Sequence, residues 1–513
     1  MDHLGRNMKL ETICGEGRCK VKLYKKEGNT IRILSFPTEQ FEKGDYLVIE
    51  DSNAGKALLV QVVDIQFANV PGILEELLRE CSQSQEYIEG ENLDPLEVFS
   101  QITMIQDARM LICKIRAALE NGKLTNNTAW LPSRTHSTIK KIPISKLFSL
   151  AKVNGNFPIY LGETKEKSQL FIDAQSLDGR LNIITGKKET GKSHLSKLLV
   201  LSLIHYGATV VVLDLNGEYT GLGFDENGSP NQYNGKVEVL TPGRNFKITL
   251  KQVDLRVMLN ILLNALKLPG TSAREFRRIW RFLKERDMLS LKELGEAIRN
   301  WKCNQHIRDA LFSRYYALLN SGFFTDNPKE AYSMEKCLEK AKLNGGAIII
   351  NMQDISTIDR QIVVEYVLGK LIELLTSWRL RAVFLFAEEA HLYLRDTYWD
   401  DIVTRMRHYG VFTTFITNQP DSIRESIYRQ ADNIFLFNFT NERDLETVSK
   451  ASRVDSETVK SIARDLPPQH CLVLGKAVKD FPIVVKIRAL NVQTKGKTRY
   501  FFTNSIKNLV KSN

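Results

Sequence analysis

Residues 186–193 read Gly186-Lys187-Lys188-Glu189-Thr190-Gly191-Lys192-Ser193. The apolar run Leu181-Asn182-Ile183-Ile184-Thr185 precedes them, and the Leu-rich stretch Ser193–His205 follows. Strand, glycine-bounded loop, then helix is the setting of a phosphate-binding loop. The glycines let backbone N–H groups turn inward around a polyphosphate, and the helix N-terminus adds its positive dipole end. Lys192 then reaches the β- and γ-phosphates, and the Ser193 hydroxyl reaches Mg²⁺. Gly186, Thr190, Gly191, Lys192, Ser193 and the adjacent His194 make up the candidate nucleotide-binding set. Such a loop constrains the chain to an α/β fold.

The later chain supplies acids in matching places. Thr209–Leu213 is a buried-strand pattern ending in Asp214, followed by Leu215-Asn216-Gly217-Glu218-Tyr219. An acid at the carboxyl end of a strand beside such a loop sits where Mg²⁺ and attacking water lie, but Asp214 equally suits a cap on the next turn. Ala382–Ala387 is a second buried run, closed by Glu388-Glu389-Ala390-His391. Nucleotide hydrolysis needs one acid near the metal and one polarising water; Glu388 is assigned to the first and Glu389 to the second. Two solvated glutamates at a helix start are the bland alternative, and the apolar run before them disfavours it. Val411–Thr417 ends in Asn418-Gln419-Pro420, so Gln419 is a candidate γ-phosphate sensor or a turn-capping amide. Arg405 and Arg407, between these strands, are candidates for an arginine acting on a neighbouring subunit's nucleotide, or for a solvated basic helix end.

Four strand patterns open the chain, at Lys20–Tyr24, Ile31–Phe36, Tyr46–Glu50 and Lys56–Ile65, divided by turns such as Glu27-Gly28-Asn29. Their spacing suits a small antiparallel barrel. Pro71–Gln106 reads as helical, Ala108–Ala117 as a returning strand and Asn121–Ser137 as a polar linker. Residues 250–343 carry helical periodicity without strand signals, with Leu255, Leu259, Leu262, Leu263 and Leu266 on one face. Beyond them come Ala347–Met352 (strand), Ile362–Trp378 (helix), Asp400–Arg407 (helix), Asn433–Phe439 (strand) and a closing hairpin, Cys471–Leu474 with Ile483–Ile487. Alternating strands and helices mean a mostly parallel sheet covered on both faces. The expected organisation is therefore a barrel with helical insertion over 1–140, an ATPase core over 141–249 and 344–490 interrupted by a helical insertion over 250–343, and a basic tail over 491–513.

At 513 residues, 43% hydrophobic and 26% charged, the chain has an ordinary globular composition. It has no apolar run of membrane-helix length, and Met1–Arg6 lacks a secretory core, so a cytoplasmic protein is expected. Seven scattered cysteines, with only Cys14 and Cys19 close together, point to free thiols. The net charge of +11 permits nucleic acid without requiring it. Arg274–Arg286 is the densest basic stretch and interleaves aromatics. It suits phosphate contact, or equally an amphipathic helix whose Phe276, Ile279 and Leu283 face a core.

Taken in order, Gly186–Ser193, Asp214–Tyr219, Glu388–His391, Arg407–Gly410 and Asn418–Pro420 resemble the motifs of HerA-type ATPases of the HerA–FtsK superfamily. The N-terminal strands, the helical insertion and the closing Leu466-Pro467…Gly475…Pro482 segment are similar as well. The resemblance implies a RecA-like P-loop core and a homohexameric ring. It also implies ATP and Mg²⁺ as cofactors, double-stranded DNA passing through the ring, and a NurA-like nuclease partner in end processing and recombinational repair. Carried over by position, Lys192 and Ser193 hold phosphate and Mg²⁺, Glu389 activates water, Gln419 senses, and Arg407 acts across subunits. Arg180 matches an arginine at the nucleotide. Glu388 stands where the family often has Asp, the loop interior Lys187–Thr190 is unusually charged, and Arg405 competes with Arg407. Related ring ATPases of conjugation, DNA packaging or phage defence are the alternative, as is a nucleotide-gated scaffold.

Overall fold

The computed structural model describes residues 21–36, 39–68, 107–151, 155–393 and 405–495. Cys14, Cys19, the expected helix over 71–106, most of the expected helix over 400–407 and nearly all of the basic tail lie outside them. The chain divides into two compact units, one holding residues up to Ser176 with Ile434–Arg488, the other Leu177–Asn433 with the segment from Ala489 onward. Segments 141–249 and 344–490 are thus each shared between units.

In the first unit, β1 (Val21–Glu27), β2 (Thr30–Ser35), β3 (Tyr46–Asp51), β4 (Lys56–Phe67), β5 (Arg109–Glu120), β6 (Lys123–Thr125) and β7 (Ser137–Lys141) form an antiparallel sheet. Its order is β1-β2-β5-β4-β3-β7, with β6 paired to β5. Inward positions alternate along it, with Ile31 and Ile33, Leu47 and Ile49, Leu58, Val60 and Val62 all buried. Among the described residues no ladder joins β1 to β7, so this is a half-barrel rather than the expected barrel. Exposed Lys22, Lys25 and Glu27 on β1 keep that edge unpaired. The expected linker at 121–137 is tied down instead. Lys26 Nζ donates to the Thr128 and Trp130 carbonyls, and Ser133 N–H donates to Asp51.

The same unit contains helix α1 (Ile144–Ala151), the strands β8 (Pro158–Glu163) and β9 (Gln169–Asp173), and, after β16 (Asn433–Leu436), the expected closing hairpin as β17 (His470–Gly475) and β18 (Ile483–Ile487). β17-β18-β8-β9 pair antiparallel in that order. Gly162 permits the close approach of β18: at φ 152°, a Cβ there would lie 1.9 Å from the Lys486 carbonyl oxygen.

The second unit is a parallel sheet of order β12-β13-β11-β14-β15-β10. Its strands are β10 (Asn182–Thr185), β11 (Thr209–Asp214), β12 (Val237–Leu240), β13 (Gly346–Asn351), β14 (Val383–Glu388) and β15 (Val411–Thr417). β10 and β11 are buried at every position, as a sheet covered on both faces requires. Helix α2 (Lys192–His205) follows β10, with Leu195, Leu198, Leu199 and Ile204 buried. The α/β class with a mostly parallel core is therefore as expected.

Residues 250–343 are helical as expected: α3 (Leu255–Asn260), α4 (Gly270–Glu285), α5 (Leu291–Asn300), α6 (Gln305–Asn320) and α7 (Met334–Asn344). The leucine face differs in one respect. A π-turn over Ile261–Ala265 shifts the register, so Val257, Met258, Ile261 and Ala265 join Leu259 and Leu262 inside, while Leu255, Leu263 and Leu266 are only half-buried.

Candidate active site

The loop between β10 and α2 has the backbone its glycines foretell. Gly186 sits at φ 156° and Gly191 at φ 116°, and the non-glycine Glu189 takes φ 63°. Thr190 Oγ1 donates to the Lys187 carbonyl at 2.7 Å, and Lys192 Nζ donates to the same oxygen at 2.6 Å, folding the loop on itself. The charged interior residues Lys187, Lys188 and Glu189 are exposed, which is why this loop tolerates them. Ser193 and His194 are half-buried on the first turn of α2.

Lys192 is buried, and burial pulls its pKa down to about 8 against the upward pull of Glu389, Glu218 and Glu388. An ammonium facing three carboxylates is the positive pole of the site. Asp214, fully buried, accepts from Glu218 N–H at 3.0 Å and from Tyr219 N–H at 2.9 Å. Both its oxygens thus cap the Asp214–Tyr219 turn, which is the structural alternative drawn from sequence. Burial pushes its carboxyl up to about 6, with those N–H groups holding it down. Tyr219 is fixed in turn by its hydroxyl bond to Ser196.

Glu388 ends β14, 2% exposed, and accepts a backbone N–H from Asn216. Among the described residues its Oε2 has no hydrogen-bond partner. Burial first, then Asp214, Glu218 and Glu389, push its carboxyl well above the ordinary range. Next along the chain, Glu389 takes a left-handed conformation, φ 45° and ψ 46°, and its N–H donates to Ile416 O at 2.7 Å. Its carboxylate accepts from Thr417 Oγ1 at 3.0 Å and from Asn418 N–H at 3.1 Å. Among the described residues the Thr185 and Tyr393 hydroxyls are also buried without partners, and the nearby carboxylates Glu388, Glu389 and Asp214 act on Tyr393. Orphaned buried groups around a lysine are what a polyphosphate and its cation would satisfy.

Gln419 is exposed at the mouth of this cluster; its N–H donates to Thr417 Oγ1 at 3.0 Å. The arginines lie elsewhere. Arg180 and Arg407 precede β10 and β15, and both pair with buried Asp432, at 3.5 Å and 3.3 Å. Parallel pairing sets Asn182 beside Thr414 and Thr185 beside Thr417. The arginines therefore occupy the starting edge of the sheet, and Lys192, Glu388 and Glu389 its finishing edge, a strand of about 13 Å apart. Arg180, expected at the nucleotide, does not stand beside its own loop. Arg405 is exposed.

Sequence reasoning missed Thr417, Tyr393, Thr185 and Glu218. Glu218 stood in the quoted Asp214–Tyr219 segment; its charge now acts on Lys192, Asp214 and Glu388 together. The others are common residue types whose roles appear only when strand ends meet.

Residues 159–371 match the family described as helicase HerA, central domain. A probable helicase of Methanocaldococcus jannaschii is 23% identical over 362 residues, spanning 66% of this chain and 68% of the relative. Among solved structures, the bacterial conjugative coupling protein TrwB aligns with a TM-score of 0.49 at 13% identity, covering 69% of this chain and 94% of TrwB. VirB4 of Thermoanaerobacter pseudethanolicus gives 0.46 at 15%, covering 66% and 98%. Likeness at this level bears on neither activity nor partners. The motif order, the strand-end carboxylates and the family match agree: residues 159–371, a little over two fifths of the chain, are similar to the HerA central domain.

Proposed function

We propose that this chain is an ATP-hydrolysing motor of HerA type that assembles into a ring, a hexamer by resemblance, and moves double-stranded DNA. The observation that carries the reading is the buried Glu388 Oε2, without a hydrogen-bond partner among the described residues, beside Lys192 and Glu389. A protein that merely bound nucleotide as a scaffold has no use for two carboxylates at that place.

Backbone N–H groups of Gly186–Gly191 and the Lys192 ammonium hold the triphosphate. The Ser193 hydroxyl and Glu388 are the donors suited to Mg²⁺, which when bound neutralises charge on the phosphate oxygens. Glu389 orients and polarises the attacking water, and Gln419, at the end of the next strand, reads the γ-phosphate. Arg407, lacking access to its own site, supplies charge to the site of an adjacent copy, with Arg180 beside it. The residues that hold nucleotide and metal thus form one face, and the arginines the complementary one.

End processing with a NurA-like nuclease, in the cytoplasm, is the setting the HerA resemblance supports. The deciding experiment is ATPase rate with and without linear double-stranded DNA, on protein whose solution mass is known. Stimulated hydrolysis by a hexamer supports the motor. A slow rate indifferent to DNA, with and without a nuclease partner, overturns it.

A further inference from the structure

The last residue of β15 is coupled to Glu389 more closely than packing requires. Thr417 is 1% exposed, and its Oγ1 donates to Glu389 Oε2 at 3.0 Å, while Asn418 N–H donates to Oε1 at 3.1 Å. Among the described residues each carboxylate oxygen accepts one hydrogen bond, and both donors belong to the two residues just before Gln419. The Glu389 backbone is tied to the same strand through Ile416 O, and its left-handed φ turns the side chain towards β15.

A threonine hydroxyl has one proton. Thr417 Oγ1 lies 3.0 Å from Glu389 Oε2 and 3.3 Å from the Gln419 carbonyl oxygen, and it accepts the Gln419 N–H at 3.0 Å. Donation to one acceptor excludes the other. Turning the hydroxyl towards Gln419 removes one of the two bonds that orient Glu389, so the segment carrying Gln419 and the Glu389 carboxylate are linked by one rotor. Asn418 N–H, fixed in the backbone, follows any displacement of that segment.

We propose that Thr417 is the positioning residue for Glu389, holding its carboxylate in the orientation that activates water and coupling it to the Gln419 segment. The proposal rests on the role given to Glu389 above. Replacing Thr417 by Val keeps the shape and removes the hydroxyl; Thr417→Ser keeps the hydroxyl. Phosphate release gives kcat and KM for ATP, a fluorescent ATP analogue gives affinity, and thermal melting checks the fold.

Thr417→Val is expected to lower kcat about ten- to a hundredfold, as misplacement of a reacting group does, with KM and analogue affinity within about threefold of wild type. Thr417→Ser restores kcat. In a Glu389→Gln background Thr417→Val causes no further loss, because Thr417 acts only through that carboxylate. Should Val pack badly, Thr417→Ala is read the same way.

Wild-type kcat in Thr417→Val overturns the proposal, as does an equal further loss in the Glu389→Gln background. Equal loss of melting temperature and turnover in the Ser and Val variants assigns Thr417 to structure alone. Undiminished turnover in Glu389→Gln by itself instead sinks the assignment of Glu389, separately from Thr417.

Discussion

Arg180 and Arg407 close on the two oxygens of one carboxylate: Nη1 of Arg180 stands 3.5 Å from Asp432 Oδ1, and Nη2 of Arg407 stands 3.3 Å from Oδ2. Leu181 N–H donates to the same group at 3.2 Å, and Asp432 N–H donates back to Leu181 O. Asp432, 5% exposed in its side chain, is thereby compensated on every side. Arg407→Ala is expected to bind nucleotide as the wild type does and to lose turnover about a thousandfold, as loss of an arginine finger does. Mixing it with Lys192→Ala subunits should return part of the activity, since some interfaces then pair an intact loop with an intact arginine. Weakened nucleotide binding by Arg407→Ala alone would place that arginine at its own site.

Glu389 and Glu388 are adjacent yet unlike. Glu389 has a donor on each oxygen, whereas Glu388 is buried with one oxygen unpaired among the described residues. Glu389→Gln should keep ATP binding and lose hydrolysis about 10²–10⁴-fold, the range for a general base. Glu388→Gln should instead lower the apparent affinity for Mg²⁺ in nucleotide binding. A magnesium titration that leaves Glu388→Gln unchanged would remove it from the metal.

Asp214 gives a pH dependence. Its carboxyl sits near pH 6 in the fold against 3.8 ordinarily, so between these values the folded chain holds a proton that the unfolded chain has lost. The stability this brings is complete below about pH 4 and is lost as pH rises to about 6, up to about 3 kcal/mol. Melting temperatures of wild type and Asp214→Asn, taken from pH 4 to 7, should show the wild type losing ground to the variant through that window. A gap that widens in favour of the wild type would mean the burial of Asp214 is offset by its N–H donors.

The basic helix α4 buries Ser272, Ala273, Phe276, Ile279, Trp280 and Leu283, so the amphipathic alternative describes its inner face. Arg274, Arg277, Arg278 and Arg281 remain exposed on the other side. Arg278 pairs with Glu275, and Arg286 stacks on Phe282. If α4 meets DNA phosphates, Arg277→Ala with Arg281→Ala should reduce the slope of log affinity against log salt by about 2. An unchanged slope would leave those arginines to solvent.

Much of this was legible because it is local. The strand at Val411–Thr417 and the helix beginning at Ser193 follow from apolar runs bounded by glycine or proline, and the parallel core follows from their alternation. What escaped depends on partners distant in sequence. Val237–Leu240 is four residues with a glutamate inside it, and becomes a strand only because β13 offers it a ladder. Pro158–Glu163 and Gln169–Asp173 are likewise defined by pairing. The π-turn at Ile261–Ala265 has no residue signature, yet it moves the buried face of the insertion. In the site, motif order identified Lys192, Glu388 and Glu389, while Thr417 and Asp432 acquire meaning only from what their side chains touch. Arg180, placed at the nucleotide by the HerA resemblance, has its ion-pair partner Asp432 252 positions away, which no local pattern indicates.

β11 lies between β13 and β14, and both partners are made later, β13 beginning more than 130 residues after β11 ends. At about 5–20 residues per second, a growing chain spends of order ten seconds with the Val210–Leu213 strand synthesised and neither flank available. During that interval a fully apolar segment with two open hydrogen-bonding edges awaits its neighbours, so this chain's exposure to misassociation is greatest on the ribosome, before the residues that perform its chemistry can meet.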